Sequence, residues 1–153
     1  MTLDLTSVLV FRAQSTLCAV PLLYVVETMR PLPIEELKDV PTCVRGLSIV
    51  RGYPLPVLDA GSLLGLSGHR PIRRFVTLRV SERRTTALAV DDVLGIRELD
   101  RLLVQQLPSV LQSDHAEAIE GISILDGELL IVLRATKMIP EELWQTLGFE
   151  EGV

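Results

Sequence analysis

Few side chains in this 153-residue chain could carry chemistry, and they are scattered. His69 and His115 sit in polar stretches, GHRP and QSDHAEA, and neither has a second His or a Cys at the spacing a metal site needs. Asp91-Asp92 offers two carboxylates of the kind that share acid and base work, but neighbours on a strand point to opposite faces and cannot serve one substrate atom. A polar face or a turn ahead of Gly95 accounts for them. No G-x-x-x-x-G-K or G-x-G-x-x-G run is present to cradle a phosphate. Cys18 and Cys43 lie in apolar stretches, where small reduced thiols pack as core residues. Nucleophile, base and orienting group do not assemble, so the pattern speaks against an enzyme and implies no metal or cofactor.

Arg51 offers a different chemistry, recognition. VRGLSIVRGYPLPVLDAGSLL (Val44 to Leu64) returns without a gap as IEGISILDGELLIVLRATKMI (Ile119 to Ile139). The two share Gly46/Gly121, Ser48/Ser123, Gly52/Gly127, Val57/Val132 and Leu58/Leu133, among others. The second copy turns on Asp126-Gly127, a strong signal for a two-residue hairpin turn with positive φ at both residues. The first copy has Arg51-Gly52 there. An ordinary L-residue in the left-handed region costs about 1 kcal/mol, so turn chemistry did not select an arginine. A guanidinium at a rigid hairpin tip suits a carboxylate on another protein. The plainer reading is a turn of different geometry bearing a solvated charge.

The elements that must hold this tip are mostly strands. Each hairpin is preceded by another apolar pair, Val8 to Phe11 with Leu17 to Val20, and Phe75 to Val80 with Thr86 to Val93. Each half of the chain therefore offers four or five short strands, and the architecture expected is mainly β, two similar small barrels or curled sheets packed together. Helices are expected only in PLLYVVETM after Pro21 and PEELWQTLGF after Pro140, where proline suits the first helical position. Residues 99–118 read as strand or helix at first and as loop before Ile119. Pro54 and Pro56 lack their N–H groups on the same side of one strand, which places that strand at an edge or beside a bulge. Such an edge either guards against aggregation or meets a partner.

With 48% hydrophobic residues the chain can bury a real core, and a net charge of −5 speaks against nucleic acid as the main partner. The run His69 to Arg84 holds six arginines and reads as a solvated loop flanking one strand. No apolar run approaches the roughly 20 residues of a membrane span, and no basic leader opens the sequence, so a cytoplasmic place is expected. A small-molecule sensor with its ligand between the halves is a further reading. Only 4% of residues are aromatic, which is little for a ligand pocket.

Four segments together resemble the CheW family of bacterial chemosensory coupling proteins. They are Val25-Val26-Glu27, the run from Pro41 to Asp59 with Arg45-Gly46 and Val50-Arg51-Gly52, the stretch Ala89 to Ile96, and Gly121 to Leu130. The resemblance runs from about Val8 to Ile139 in the family's order. It implies one CheW-like domain over 1–153, built as two five-stranded SH3-like β-barrel subdomains. Their approximate halves are 8–70 and 71–139, with strands exchanged between them an open possibility, and a C-terminal helix and tail fill 140–153. It further implies a non-catalytic adaptor of a two-component chemotaxis system, bridging the cytoplasmic tip of a methyl-accepting receptor to the regulatory domain of a CheA-type histidine kinase. Such a protein is cytoplasmic and held at membrane-anchored receptor arrays. The alternatives are a CheW-like sensor of a small apolar ligand, or service to a pilus-motility or other non-flagellar system. The partner-binding set that the resemblance implies comprises Val25, Glu27, Gly46, Val50, Arg51, Gly52, Pro54 and Pro56. Cys43, Ala60-Gly61 and Arg134 depart from residues common in the family.

Overall fold

The computed structural model describes residues 2–68, 70–107 and 116–149, so His69 and His115 lie outside the described residues. Ten strands make two five-stranded sheets. The first contains β1 (Leu5–Ala13), β2 (Thr16–Pro21), β8 (Asp92–Asp100), β9 (Ile119–Leu125) and β10 (Glu128–Leu133), in the order β8-β1-β2-β10-β9. The second contains β3 (Val25–Met29), β4 (Val44–Val50), β5 (Tyr53–Asp59), β6 (Arg74–Ser81) and β7 (Arg84–Val90), in the order β3-β6-β7-β5-β4. Neither 8–70 nor 71–139 makes a sheet alone. Each sheet joins a leading hairpin from one half to the last three strands of the other, through the parallel contacts β2–β10 and β5–β7.

This exchange explains why the central strands are apolar on both faces. On β1, Val8 and Val10 point into a core belonging to the first sheet, while Leu9 and Phe11 point into a core shared by both sheets. Likewise Ala87 and Ala89 of β7 face a core within the second sheet, and Leu88 and Val90 face the shared one. Alternation survives as two apolar destinations, not as core and solvent. Each fully buried leucine, such as Leu58, Leu78 or Leu88, contributes about 2 kcal/mol of burial free energy. Cys18 and Cys43 are free thiols in the shared core, and burial pushes the Cys18 pKa up to about 12.

The sheets curl without closing into continuous barrels. After β3, Glu35 exchanges two backbone hydrogen bonds with Leu47 of β4 (2.7 and 2.9 Å). After β8, Gln105 does the same with Ile122 of β9 (both 2.8 Å). One bridge is all that forms in each case, because Pro31 and Pro33 supply no N–H after β3, and a 3-10 turn at Arg101–Leu103 follows β8. The repeated glycines belong to these bridges. A Cβ on Gly46 would fall far inside van der Waals contact of the Glu35 carbonyl oxygen, and one on Gly121 would meet the Gln105 carbonyl in the same way.

Several local expectations change. The segment after Pro21 is one 3-10 turn, Leu22–Tyr24, leading into β3, because Val25, Val26 and Thr28 favour the extended ladder with β6 over a short helix. The strand with Pro54 and Pro56 is not an edge strand, but it does lie beside a bulge, the register shift between Val44 and Gly46 opposite Leu58 and Val57. It lies between β4 and β7, and only its ladder with β7 starts late, at Val57, one residue past the second proline. The Thr86 hydroxyl donates to the Pro56 carbonyl there (2.9 Å). The arginine run is mostly strand, with Arg84 buried. Residues 99–107 hold the end of β8, the 3-10 turn and the Gln105 bridge, and 108–115 lie outside the described residues. As expected, a helix follows Pro140: α2 (Glu141–Thr146), the second after the short α1 (Ala60–Leu63).

Candidate partner-docking site

The two hairpin tips share one geometry. Arg51 and Gly52 have φ of 53° and 85°, and Asp126 and Gly127 have 50° and 79°, so Arg51 sits in the left-handed position its sister copy fills with aspartate. The reading of a different turn at Arg51 therefore fails. Strain at the tip is accompanied by reach. The Arg51 guanidinium donates from Nη2 and Nε to the Glu27 carboxylate on β3, at 2.7 and 3.1 Å. β3 and the β4–β5 hairpin lie at opposite ends of the strand order, so this bidentate pair spans the open mouth of the curled sheet. The first sheet repeats the device with charges reversed: Arg97 on β8 donates to Asp126 at the β9–β10 tip (2.8 and 3.1 Å).

The guanidinium expected to stand free in solvent thus has an internal partner, while its side chain remains 73% exposed. A surface pair of this kind adds little stability. Its effect is orientation, since a two-point fork fixes the arginine plane at the tip. The hydrogen bond from Arg51 holds the Glu27 carboxyl below its usual pKa, and Arg97 does the same to Asp126.

A groove of about 730 Å³ opens beside the pair. Val26, Tyr53, Pro54, Leu55 and Phe149 supply its apolar surface. Arg51, Arg79 and Arg83 stand against Glu27 and Glu82, an excess of positive charge on a chain of net −5. Neither Arg79 nor Arg83 has a carboxylate partner among the described residues; Arg79 donates only to the Glu82 carbonyl (2.8 Å). Val26 and Tyr53 are 55% and 71% exposed and line one groove, and contiguous exposed apolar surface marks interaction sites.

Of the partner-binding residues read from the sequence, Glu27, Val50, Arg51 and Pro54 line this groove. Gly52 completes the tip, and Val25 pairs with Leu78 on β6. Gly46 is buried beneath the Glu35 bridge and Pro56 is buried beside Thr86, so both shape the site from below. Asp91 and Asp92 do not share a site; Asp91 lies 3.6 Å from Arg70, and Asp92 opens β8. Val26 and Tyr53 could have been found as apolar neighbours of Glu27 and Arg51. Arg79, Arg83 and Phe149 could not, because they arrive from the β6–β7 hairpin and the C-terminal segment.

The pair carries a pH signature. A carboxylate with a depressed folded pKa contributes stability above its unfolded pKa, and that stability is lost as pH falls through the folded pKa. Arg51→Met removes the cause of the shift at Glu27. The variant is expected to lose less stability than the parent between pH 7 and roughly pH 3, as read from urea midpoints. Parallel curves would show that the pair does not persist in solution.

The CheW-like domain family profile matches residues 7–143, ending before Gly148 and Phe149. A protein from Rhizobium meliloti (strain 1021) described as "Chemotaxis protein CheW" is 22% identical over 111 residues, 72% of each chain. "Probable chemotaxis protein CheW" of Rhizobium etli is 24% identical over 110 residues, 71% of each. The crystal structure of the scaffolding protein TtCheW from Thermoanaerobacter tengcongensis superimposes with a TM-score of 0.74 at 21% identity, covering 88% of this chain and 92% of that one. With the interleaved sheets, the paired hairpin tips and a profile match over most of its length, the chain belongs to the CheW-like domain family.

Proposed function

We propose that the protein is a non-catalytic chemotaxis adaptor of the cytoplasm, coupling methyl-accepting receptors to a CheA-type histidine kinase at membrane-anchored arrays. The observation that carries the reading is the Arg51–Glu27 fork at the lip of the arginine-rimmed groove, in a chain whose family relatives are named for chemotaxis and scaffolding. The groove takes the helical receptor tip: its apolar surface suits one stripe of a helix, and its excess arginines suit flanking carboxylates. The kinase regulatory domain takes the outer face of the first sheet, where Ile124 and Leu129 form a cross-strand pair, 71% and 55% exposed, beside Leu103 and Ile122. Two separated surfaces on one packed framework permit simultaneous occupancy, which coupling requires. No helix among the described residues is long and apolar enough to cross a membrane.

Reconstitution tests this directly. Receptor cytoplasmic fragments on vesicles, mixed with a CheA-type kinase from the same genome, are expected to recruit and regulate the kinase only when this protein is added. Kinase activity indifferent to its presence, together with no measurable binding to either partner, would overturn the reading.

A further inference from the structure

Among the described residues, the segment from Glu141 to Phe149 forms a hook that reaches the groove. Helix α2 stops in a Schellman motif: Gly148 takes the left-handed position (φ 88°), its N–H bonds to the Gln145 carbonyl (3.0 Å), and the Phe149 N–H reaches back to the Trp144 carbonyl (2.9 Å). The apolar contact that accompanies this motif is present, with the Phe149 ring edge-on to Trp144 at 5.7 Å and 78°. Trp144 is buried in the shared core, so the phenyl ring is aimed by a fixed neighbour.

One side chain bolts both ends of the hook. Arg84, 5% exposed at the start of β7, donates from Nη1 and Nη2 to Glu141 at the first turn of α2 (2.7 and 2.8 Å). From Nε it donates to the Phe149 carbonyl (3.1 Å), and its guanidinium lies 5.3 Å from the centre of the Trp144 ring. Arg84 does not line the groove, whereas Phe149 lines it with Arg51 and Tyr53. The adjoining Glu82, Arg83 and Thr85 line it too.

We infer that the Trp144–Phe149 hook is part of the docking site, with Phe149 a contact residue for the apolar stripe of the docked helix and Arg84 a positioning residue acting through it. The inference rests on the groove being the receptor-tip site. It follows from placement: a ring held by a glycine-capped turn and a buried tryptophan adds preorganised apolar area at little entropic cost. Phe149 packs one side against the shared core and turns the rest of its surface to the groove.

The test is a titration of the full-length protein with the purified cytoplasmic fragment of a methyl-accepting receptor from the same genome. Phe149→Ala is expected to weaken binding about tenfold, with the far-UV circular dichroism spectrum and affinity for the kinase domain close to the parent. Arg84→Met is expected to weaken binding similarly and to raise hydrogen exchange across 141–149. In the Phe149→Ala background, Arg84→Met should cost almost no further affinity, because its effect passes through the absent ring. If Arg51→Glu weakens binding while Phe149→Ala does not, the hook is only structural and the inference fails though the groove stands. If neither changes affinity, the groove itself has been misassigned. Additive losses in the double variant would remove Arg84 from the positioning role.

Discussion

Arg51→Glu is expected to lower affinity for the receptor tip by about ten- to a hundredfold, while affinity for the kinase domain and the melting temperature stay near the parent. The substitution breaks the fork to Glu27 and places two carboxylates at the lip of a groove proposed to accept acidic flanks. Stability should hardly move, because the side chain is largely in water and the left-handed φ is strained for glutamate and arginine alike. A charge-swapped double variant separates recognition from internal positioning. Glu27→Arg combined with Arg51→Glu rebuilds the pair with the polarity that Arg97 and Asp126 already show in the first sheet. If the guanidinium at the tip itself meets the receptor, the swapped pair restores the fork but not the affinity. Full rescue would show that only the tie across the sheet matters, and unchanged binding in the single variant would remove Arg51 from the interface.

The largest stability effects should fall on Gly46 and Gly121, the equivalent glycines beneath the two single backbone bridges. Gly46→Ala is expected to cost about 3–5 kcal/mol, since the new methyl group strikes the Glu35 carbonyl and the backbone holds φ at 140°. Gly121→Ala, which meets the Gln105 carbonyl without a left-handed φ, should cost about 2–4 kcal/mol. Gly127→Ala meets nothing within 4 Å, leaving φ alone to oppose it, so about 1 kcal/mol is expected. Denaturant midpoints of the three variants check the order. A Gly46→Ala protein as stable as the parent would mean that the Glu35–Leu47 bridge does not form.

How far the chain alone leads can be judged from particular residues. The repeat declared two related hairpins, and Asp126-Gly127 correctly predicted the geometry of Arg51-Gly52, because a two-residue turn is decided by its own φ angles. The alternating aliphatic runs declared strands, and Pro140 followed by glutamates declared α2. Where the reading failed, a distant partner decided the outcome. The Val25–Met29 segment became a strand because β6 offered a ladder, and of the two places open to the proline-bearing strand, an edge or a bulge, it took the one beside a bulge because β7 joins it beyond Pro56. Arg84 looked like one more solvated charge until Glu141, Trp144 and the Phe149 carbonyl surrounded it.

The four hairpins and the two-residue turn at Arg51-Gly52 were therefore set by the sequence, since each depends on contacts within a few residues. Tertiary structure alone decided that the hairpins are exchanged between sheets, that Arg51 is held by Glu27, and that Phe149 stands in the groove wall. Those contacts join residues 24 or more positions apart, Arg51 and Glu27 being the nearest in sequence. Pairings over such separations depend on which strands meet in space, and local preference carries no record of that.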